Sequence, residues 1–173
     1  MKGVTVWFTG LPCSGKTTIA DELADILTKK GLNVERLDGD IVRKDLTNDL
    51  GFSKKDRDEN IRRVTFVAKL LTRNNVIVLA TFVSPYSKRR KKTRIEIGEF
   101  LEVYVKCPVE ECIKRDVKGM YEKALRGEVT GFTGVDDPYE EPINPDLVLE
   151  THKESVEESV NKVLSLMEGN GYL

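Results

Sequence analysis

The stretch Gly10-Leu-Pro-Cys-Ser-Gly-Lys-Thr17 decides the fold, because it fits the spacing G-x-x-x-x-G-K-[ST] of a phosphate-binding loop. Val4 to Thr9, directly before it, predicts a first strand. After it, apolar residues recur at helical spacing up to Gly31, which predicts a helix with a glycine C-cap. The motif therefore stands between a strand and a helix. This context favours a phosphate loop over the alternative, a glycine-rich turn that only looks like one.

The chemistry expected of this loop is the binding of ATP phosphates and Mg²⁺. Gly10 and Gly15 allow backbone N–H groups to approach a phosphate closely at a helix N-terminus. Lys16 is expected to reach the β- and γ-phosphates as a catalytic residue, and the Thr17 hydroxyl to bind Mg²⁺. The predicted nucleotide-binding set is Gly10, Leu11, Pro12, Cys13, Ser14, Gly15, Lys16, Thr17 and Thr18.

Short apolar runs alternate with segments of helical periodicity along the rest of the chain. Further strands are predicted at 33–37, 76–82, 101–105 and 147–149, with 76–82 in the centre of the sheet because it is the most apolar. Helices are predicted from Ser53 to about Asn74, from Pro108 at a first helical position, and over 156–167. The pattern predicts an α/β fold: a three-layer P-loop NTPase or kinase fold, with a mostly parallel five-stranded sheet and helices on both faces.

Between Val117 and Pro145 the periodicity fades, and glycines and prolines accumulate. A long irregular stretch inside a compact domain is typical of a lid or a binding loop. The chain has 173 residues and shows neither internal repeats nor a linker. A single domain over residues 1–173 is therefore predicted, with a lid at about 117–145.

The composition excludes several classes of protein. The 28 Lys and Arg residues balance 29 Asp and Glu, so the net charge of −1 gives no reason to expect nucleic acid or a membrane as a partner. The longest apolar run, Val76 to Ala80, is too short to cross a bilayer. Cys13, Cys107 and Cys112 lack paired spacing, and a single histidine, His152, disfavours a zinc site or a histidine-dependent triad. These features indicate a reduced cytoplasmic protein.

Besides the Thr17 hydroxyl, an acidic residue is needed near Mg²⁺. The strand at 76–82 ends in Thr81-Phe82 and supplies no carboxylate. The carboxylate is therefore expected from Asp38 or Asp40, which follow the second strand in Leu37-Asp-Gly-Asp-Ile-Val-Arg43. A bound divalent cation would balance their paired charges. The alternative is an Asx-type turn that caps the next short helix, and Asp40 can also serve as that N-cap. A small kinase is the leading class.

Six ordered stretches coincide with one family: Leu37-Asp-Gly-Asp-Ile-Val-Arg43, Asn48-Asp-Leu-Gly-Phe-Ser53, Asp56-Arg-Asp-Glu-Asn-Ile-Arg-Arg63, Phe82-Val-Ser-Pro-Tyr86, Lys118-Gly-Met-Tyr121 and Gly131-Phe-Thr-Gly134. From the phosphate loop almost to its end, the chain resembles adenylyl-sulfate kinase (APS kinase). The resemblance implies a P-loop kinase fold, ATP and Mg²⁺ as cofactors, and transfer of the ATP γ-phosphoryl group to the ribose 3′-hydroxyl of adenylyl sulfate in sulfate assimilation. It also implies, commonly, a homodimer, and it fits functional coupling to a sulfate adenylyltransferase.

The resemblance also implies the residues of the site. Asp40 is expected to orient the 3′-hydroxyl or accept its proton, and Asp38 to act with Thr17 on Mg²⁺. Ser84 holds the position of the family's proposed phosphoserine, but no histidine stands beside it as a base, so we expect it to bind substrate. Arginines suit the anionic groups, and an aromatic pair suits the adenine. The matched substrate positions are Asp40, Arg43, Phe52, Arg57, Asn60, Val83, Ser84, Lys118, Gly131 and Phe132.

Two segments depart from the family pattern. Pro12-Cys13 stands where small residues are usual, and Ser87 follows Ser-Pro-Tyr where arginine is common. The basic run Lys88-Arg-Arg-Lys-Lys92 can compensate for that arginine, although a solvated helix face is the simpler interpretation. Two other functions remain open: another P-loop small-molecule or nucleotide kinase, acting on a sugar acid or a nucleoside monophosphate, and a non-catalytic nucleotide-binding subunit.

Overall fold

A five-stranded sheet in the order β2-β3-β1-β4-β5 forms the centre of the computed structural model, which describes residues 2–173. Its strands are Val4–Thr9 (β1), Val34–Asp38 (β2), Ile77–Thr81 (β3), Phe100–Lys106 (β4) and Leu147–Glu150 (β5). Each neighbouring pair is parallel, so that Val6 lies opposite Leu79 on one side and Leu101 on the other. The prediction of a parallel five-stranded α/β sheet is confirmed. All five carboxyl ends lie along one edge of the sheet.

The strand at the centre of the sheet is β1, so the prediction that placed the 76–82 strand there is wrong. Every residue of β1 and of β3 is buried. An apolar run reports burial on both faces and does not distinguish one inner strand from another. The consequence is that the loop after β1 emerges from the middle of the carboxyl edge.

Helices cover both faces of the sheet. They are Lys16–Lys29 (α1), Gly39–Val42 (α2), Lys54–Arg73 (α3), Ser87–Ile97 (α4), Val109–Arg115 (α5), Met120–Leu125 (α6) and Val156–Gly169 (α7). Val6 and Phe8 pack in a cluster with residues of α1 and α7, whereas Trp7 packs with residues of α3 in a second cluster. This alternation follows from the pleat of β1. The three layers are therefore as predicted. Within residues 2–173, no helix has the length and hydropathy to span a bilayer.

The helix ends follow local sequence signals. Ser53, where the sequence predicted this helix to begin, caps α3 by accepting a hydrogen bond from the Asp56 backbone N–H at 3.1 Å. Gly31 lies just beyond α1 in the left-handed region, at φ 78°. Pro108 is the N-cap of α5 and not its first helical residue, a difference of one position.

Residues 117–145 are less irregular than predicted, because they contain α6. The Asp116 carboxylate accepts hydrogen bonds from the backbone N–H groups of Tyr121 and Glu122, at 2.9 and 3.1 Å. A helix of six residues is less than two turns long, too short for apolar periodicity to reveal it. Beyond α6, an isolated bridge joins Thr133 and Asp137.

Candidate active site

The phosphate loop folds between β1 and α1, at the middle of the carboxyl edge of the sheet. Glycine is required at position 10 because a Cβ there would lie 2.4 Å from the carbonyl oxygen of Val105. Gly15 caps α1 with φ 104°, in the region that favours glycine. The first N–H groups of α1 have no partner within the helix, so this turn presents donors suited to a phosphate.

Lys16 is held inside this loop and is only 8% exposed. Its Nζ donates hydrogen bonds to the carbonyl oxygens of Gly10 at 2.9 Å and Leu11 at 2.7 Å, and it lies 3.4 Å from Ser14 Oγ. Burial lowers the pKa of Lys16 from 10.5 to about 8, since nearby acidic groups offset the loss of hydration only in part. The Lys16 side chain is therefore a charged ammonium at neutral pH, next to the backbone N–H groups of the loop.

Two residues that the sequence reasoning missed hold the outer side of the loop. Arg115 Nη1 donates to the carbonyl oxygens of Cys13 and Ser14, at 3.3 and 3.2 Å. Thr151 Oγ1 donates to the same Ser14 carbonyl at 2.7 Å, and Arg115 Nη2 donates to the Thr151 carbonyl at 2.8 Å. Arg115 ends α5 and Thr151 follows β5, so no local sequence pattern relates them to the loop.

Asp38 is the buried carboxylate at the end of β2. Its Oδ2 accepts hydrogen bonds from the hydroxyls of Thr17 at 3.0 Å and Thr81 at 2.7 Å, and its Oδ1 accepts the Asp40 backbone N–H at 2.9 Å. Burial alone would raise the pKa of Asp38, but these hydrogen bonds and Arg36, 3.9 Å away, outweigh it, so the pKa lies below its usual value. Thr81, which stood out in the sequence only as a strand end without an acid, orients this carboxylate.

The side-chain oxygens of Thr17 and Asp38 are a pair of ligands of the kind that Mg²⁺ binds. Within residues 2–173 there is no group of three or more His, Cys, Asp or Glu side chains that could hold a metal by themselves. In nucleotide sites Mg²⁺ uses one or two protein oxygens together with phosphates and water, so a hydroxyl and a carboxylate in hydrogen-bond contact fit that mode.

Asp40 lies in the first turn of α2, and its side chain is 69% exposed. Its carboxylate pairs with the ammonium of Lys118, from the start of the 117–145 segment. The expectation that Asp40 serves as the N-cap is wrong: Asp38 caps α2, because its extended backbone lets Oδ1 reach the N–H two residues on. Asp38 is thus both the cap and the carboxylate nearest to Thr17, while Asp40 projects outward.

Arg43 and Phe52 lie against each other. The Arg43 guanidinium stands 4.3 Å from the centroid of the Phe52 ring, a cation–π distance. Arg43 Nη1 also donates to the Gly51 carbonyl at 3.2 Å. Phe52 as a residue is 66% exposed, so much of its surface is available for a further contact.

Arg57 joins α3 to the 117–145 segment. Its Nη1 donates to Thr133 Oγ1 at 2.7 Å and to Asp137 Oδ2 at 2.8 Å, and its Nη2 donates to the Gly131 carbonyl. One turn further along α3, Asn60 is buried, and no donor within the described chain bonds its Oδ1. A buried acceptor of this kind is unfavourable unless a ligand or water bonds it.

Phe132 belongs to a cluster that connects the 117–145 segment to the phosphate loop. Its ring meets the Tyr121 ring edge-on, with centroids 4.9 Å apart. The Tyr121 hydroxyl donates to the Pro12 carbonyl at 2.9 Å. Asp136 fixes the turn by accepting the N–H groups of Gly131 and Phe132, each at 2.7 Å. Phe132 and Phe52 thus pack against different neighbours in this structure.

Ser84 is buried just beyond β3 with φ 41°, unusual for a residue with a side chain. Its Oγ accepts a hydrogen bond from Trp7 Nε1 at 3.1 Å and donates to Thr9 Oγ1 at 3.0 Å. Thr9 Oγ1 donates in turn to the Val83 carbonyl at 2.8 Å. The recorded partners of the serine hydroxyl include no carboxylate or imidazole that could act as its base.

The comparison with known families settles which kind of phosphate-loop protein this is. The family model described as adenylylsulphate kinase matches residues 2–150. The chain belongs to the adenylylsulphate kinase family. The adenylyl-sulfate kinase of Halothermothrix orenii is 62% identical over 172 residues, which cover 99% of this chain and 93% of that relative. That of Picosynechococcus is 55% identical over 172 residues, 99% of this chain and 97% of the relative.

A solved structure of this family has the same fold. The Mycobacterium tuberculosis APS kinase CysC, in complex with AMPPNP and APS, superposes with a TM-score of 0.92 at 44% identity, and the match covers 96% of this chain and 98% of that one. The family and the fold predicted from the sequence are therefore confirmed.

The adenylylsulphate kinase signature segments come together at one edge of the sheet. The phosphate loop follows β1, Asp38 ends β2 with Asp40 just beyond it, and Ser84 follows β3. The basic run 88–92 is not wholly the solvated face that was expected, because Arg90 is 3% exposed and donates to the Ser84 carbonyl. A charge run in the sequence does not show which of its members turns inward.

Proposed function

We propose that this chain transfers the γ-phosphoryl group of ATP to the ribose 3′-hydroxyl of adenylyl sulfate, which yields 3′-phosphoadenylyl sulfate and ADP. The observation that carries the proposal is a convergence. The phosphate loop, the Asp38 and Asp40 carboxylates, and loops bearing arginine and phenylalanine meet at one edge of the sheet. They do so in a chain 44% identical to a kinase solved with AMPPNP and APS.

The phosphate donor is held by residues 10–18. Backbone N–H groups of the loop and of α1 bind the phosphates, and the Lys16 ammonium neutralises the charge that grows on the oxygen bridging the β- and γ-phosphates. Lys16 is already fixed by the Gly10 and Leu11 carbonyls, so little side-chain entropy is lost when a phosphate takes over one of these contacts.

Thr17 and Asp38 are the residues that would hold Mg²⁺. When bound, the ion would neutralise the charge that develops on the ATP phosphates. Asp38 suits this role because its low pKa keeps it ionised throughout the neutral range, and the Thr81 hydroxyl fixes the orientation of its carboxylate.

In this proposal Asp40 acts on the acceptor. Its exposed carboxylate accepts a hydrogen bond from the 3′-hydroxyl, whose oxygen attacks the γ-phosphorus as the bond to the ADP oxygen breaks. The hydroxyl proton passes to Asp40 and then to solvent. Lys118, paired with Asp40 in this structure, stays beside the transferred group as a positive charge.

Ser84 binds substrate and does not accept the phosphoryl group. Its hydroxyl already takes part in hydrogen bonds with Trp7 and Thr9, and a phosphoserine here would have to displace both. Direct in-line transfer needs only positioning and charge stabilisation, so no covalent intermediate is required.

Adenylyl sulfate is recognised through its anionic groups and its adenine. Arg43 presents a guanidinium to the phosphate and sulfate oxygens, and Asn60 offers a buried acceptor to a ligand N–H. Phe52 and Phe132 close on the two faces of the adenine. Arg57 already bonds Gly131, Thr133 and Asp137, so it acts by placing the Phe132 loop as well as by its charge.

The proposal extends to the domain, its lid and its partners. Residues 1–173 form one catalytic domain, and residues 117–145 act as a lid that excludes water, which would otherwise compete as phosphoryl acceptor.

We also propose a homodimer, for which exposed Phe66 on α3 and Ile95 on α4 offer apolar surface. Sulfate must be adenylylated before this reaction, so a sulfate adenylyltransferase is the expected functional partner.

An acceptor panel tests the proposal. Release of ADP from ATP and Mg²⁺ is measured with adenylyl sulfate, with AMP, with gluconate and with water alone as acceptor. The expected result is turnover with adenylyl sulfate at least a hundredfold above the other three. Turnover with gluconate or AMP would assign a different kinase, and tight ATP binding without turnover would indicate a nucleotide-binding subunit.

A further inference from the structure

Arg90 is a buried arginine on α4 that links three separate parts of the chain. Its Nε donates to Glu102 Oε1 on β4 at 3.1 Å, its Nη1 to the Ser84 carbonyl at 2.6 Å, and its Nη2 to the Glu140 carbonyl at 2.5 Å. Its guanidinium carbon lies 5.6 Å from the centroid of the Tyr139 ring. One rigid group therefore connects the loop after β3 with the final limb of the lid, residues 138–145.

Tyr139 makes a second connection between the same two parts. Its hydroxyl is hydrogen-bonded to Thr9 Oγ1 at 2.8 Å, and Thr9 bonds both the Ser84 hydroxyl and the Val83 carbonyl. The Tyr139 ring also stacks on Tyr104 of β4, with centroids 5.9 Å apart. Loss of the Tyr139 hydroxyl alone would break the connection and leave the ring packing in place.

These contacts converge on a residue whose backbone conformation is unfavourable. Ser84 has φ 41°, and a non-glycine residue keeps such an angle only when its surroundings fix it. Arg90 fixes the Ser84 carbonyl, while Trp7 and Thr9 fix its hydroxyl. The conformation is thus held from both ends of the residue.

Stability alone does not explain a buried arginine here. A buried ion pair often contributes no more to stability than apolar side chains of the same volume. What an arginine provides, and a lysine does not, is a planar fork that bonds two carbonyl groups in fixed relative positions. Here those carbonyls belong to Ser84 and to Glu140.

We infer that Arg90 and Tyr139 are positioning residues for the acceptor: they hold the Ser84 loop and the final limb of the lid in the arrangement that binds adenylyl sulfate. The inference rests on the proposed function. The recorded polar partners of the two side chains are Ser84, Glu140, Glu102 and Thr9, none of which belongs to residues 10–17. Their loss therefore affects the acceptor and leaves ATP binding in place.

Steady-state kinetics of Arg90→Gln and Tyr139→Phe test this. Losing charged hydrogen bonds from Arg90 is expected to raise the KM for adenylyl sulfate at least about tenfold, and losing one neutral bond from Tyr139 about two- to tenfold. The KM for ATP is expected to stay within about twofold in both variants, since neither substitution removes a contact to the phosphate loop. Arg90→Lys keeps the charge beside Glu102 but not the fork, so it is expected to retain the raised KM.

Arg89→Gln is the matched control. It removes the same charge from the preceding position of α4, where Arg89 pairs with Glu96 of its own helix at 3.0 Å, and both KM values should stay at the unmodified level. Equal changes in both KM values, no change in either, or full rescue by Arg90→Lys would overturn the inference. If Arg90→Gln does not fold, Tyr139→Phe decides alone. Absence of turnover by the unmodified chain would refute the proposed function, and this inference with it.

Discussion

Nucleotide affinity should fall as the pH rises above 8, because of where the fold places Lys16. Burial lowers the pKa of Lys16 to about 8 in the protein without nucleotide. Bound phosphates, as close opposite charges, raise it again, so above pH 8 binding must take up a proton. The charged form then becomes scarcer with every pH unit while the complex still requires it.

The magnitude follows from the pKa. Between pH 7 and pH 9 the charged fraction of a group with a pKa of about 8 falls about tenfold, so the Kd for AMPPNP with Mg²⁺ should rise about tenfold, or 1.4 kcal/mol. Isothermal titration calorimetry at several pH values gives the Kd. The same titration in buffers of different ionisation enthalpy gives the proton uptake, expected to approach one per site at pH 9.

Two variants serve as controls. Lys16→Met should bind weakly with neither pH dependence nor proton uptake, which separates Lys16 from ionisation of the nucleotide itself. Lys30→Ala removes an exposed lysine at the C-terminal end of the same helix and should behave like the unmodified chain. A Kd that stays constant from pH 7 to pH 9 without proton uptake would refute the reasoning.

Four further substitutions test the division of roles. Asp38→Asn is expected to raise the Mg²⁺ requirement and Asp40→Asn to lower kcat at saturating Mg²⁺, and equal, Mg²⁺-independent losses would contradict this. Because the folded state holds the Asp38 pKa below 3.8, its ionised carboxylate stabilises the fold above that pH, so urea titrations should show the difference between unmodified chain and Asp38→Asn shrinking as the pH falls below 3.8. Phe52→Ala should weaken adenylyl sulfate binding about 5- to 150-fold, the equivalent of one lost stack of about 1–3 kcal/mol. The unfolding midpoint should change little, because Phe52 is 66% exposed. Ser84→Ala should keep most of kcat and lose about 1–3 kcal/mol of stability by leaving the Trp7 N–H without its acceptor, whereas a kinetically competent phosphoenzyme would contradict the assigned role.

Several features that local sequence encodes were predicted correctly, although the caps of α2 and α5 were each assigned to the wrong residue. The phosphate loop, the bounds of β1 and the Ser53 cap depend on residues within a few positions of one another, so spacing alone reveals them. The family resemblance supplied the acceptor side of the site, which spacing would not have shown. The structure brings those segments to one edge of the sheet.

Apart from the short helix α6, the features that were missed depend on contacts between distant parts of the chain. Arg115 reaches the phosphate loop across 102 positions from Cys13, and Thr81 reaches Asp38 across 43. The sequence analysis treated Arg90 as one member of a basic run, because sequence does not show which arginine of a helix contacts a buried carboxylate. The centre of the sheet was misplaced for the same reason, since strand order is a property of pairing and not of composition.

Product identification tests the central claim most directly. The chain is incubated with ATP, Mg²⁺ and either adenylyl sulfate or its 3′-deoxy analogue, and the products are analysed by mass spectrometry and ³¹P NMR. The expected result is one ADP and one 3′-phosphoadenylyl sulfate per turnover with adenylyl sulfate, and no phosphorylated product with the analogue. A phosphorylated product from the 3′-deoxy analogue, or ADP release without a phosphorylated nucleotide, would contradict the assignment.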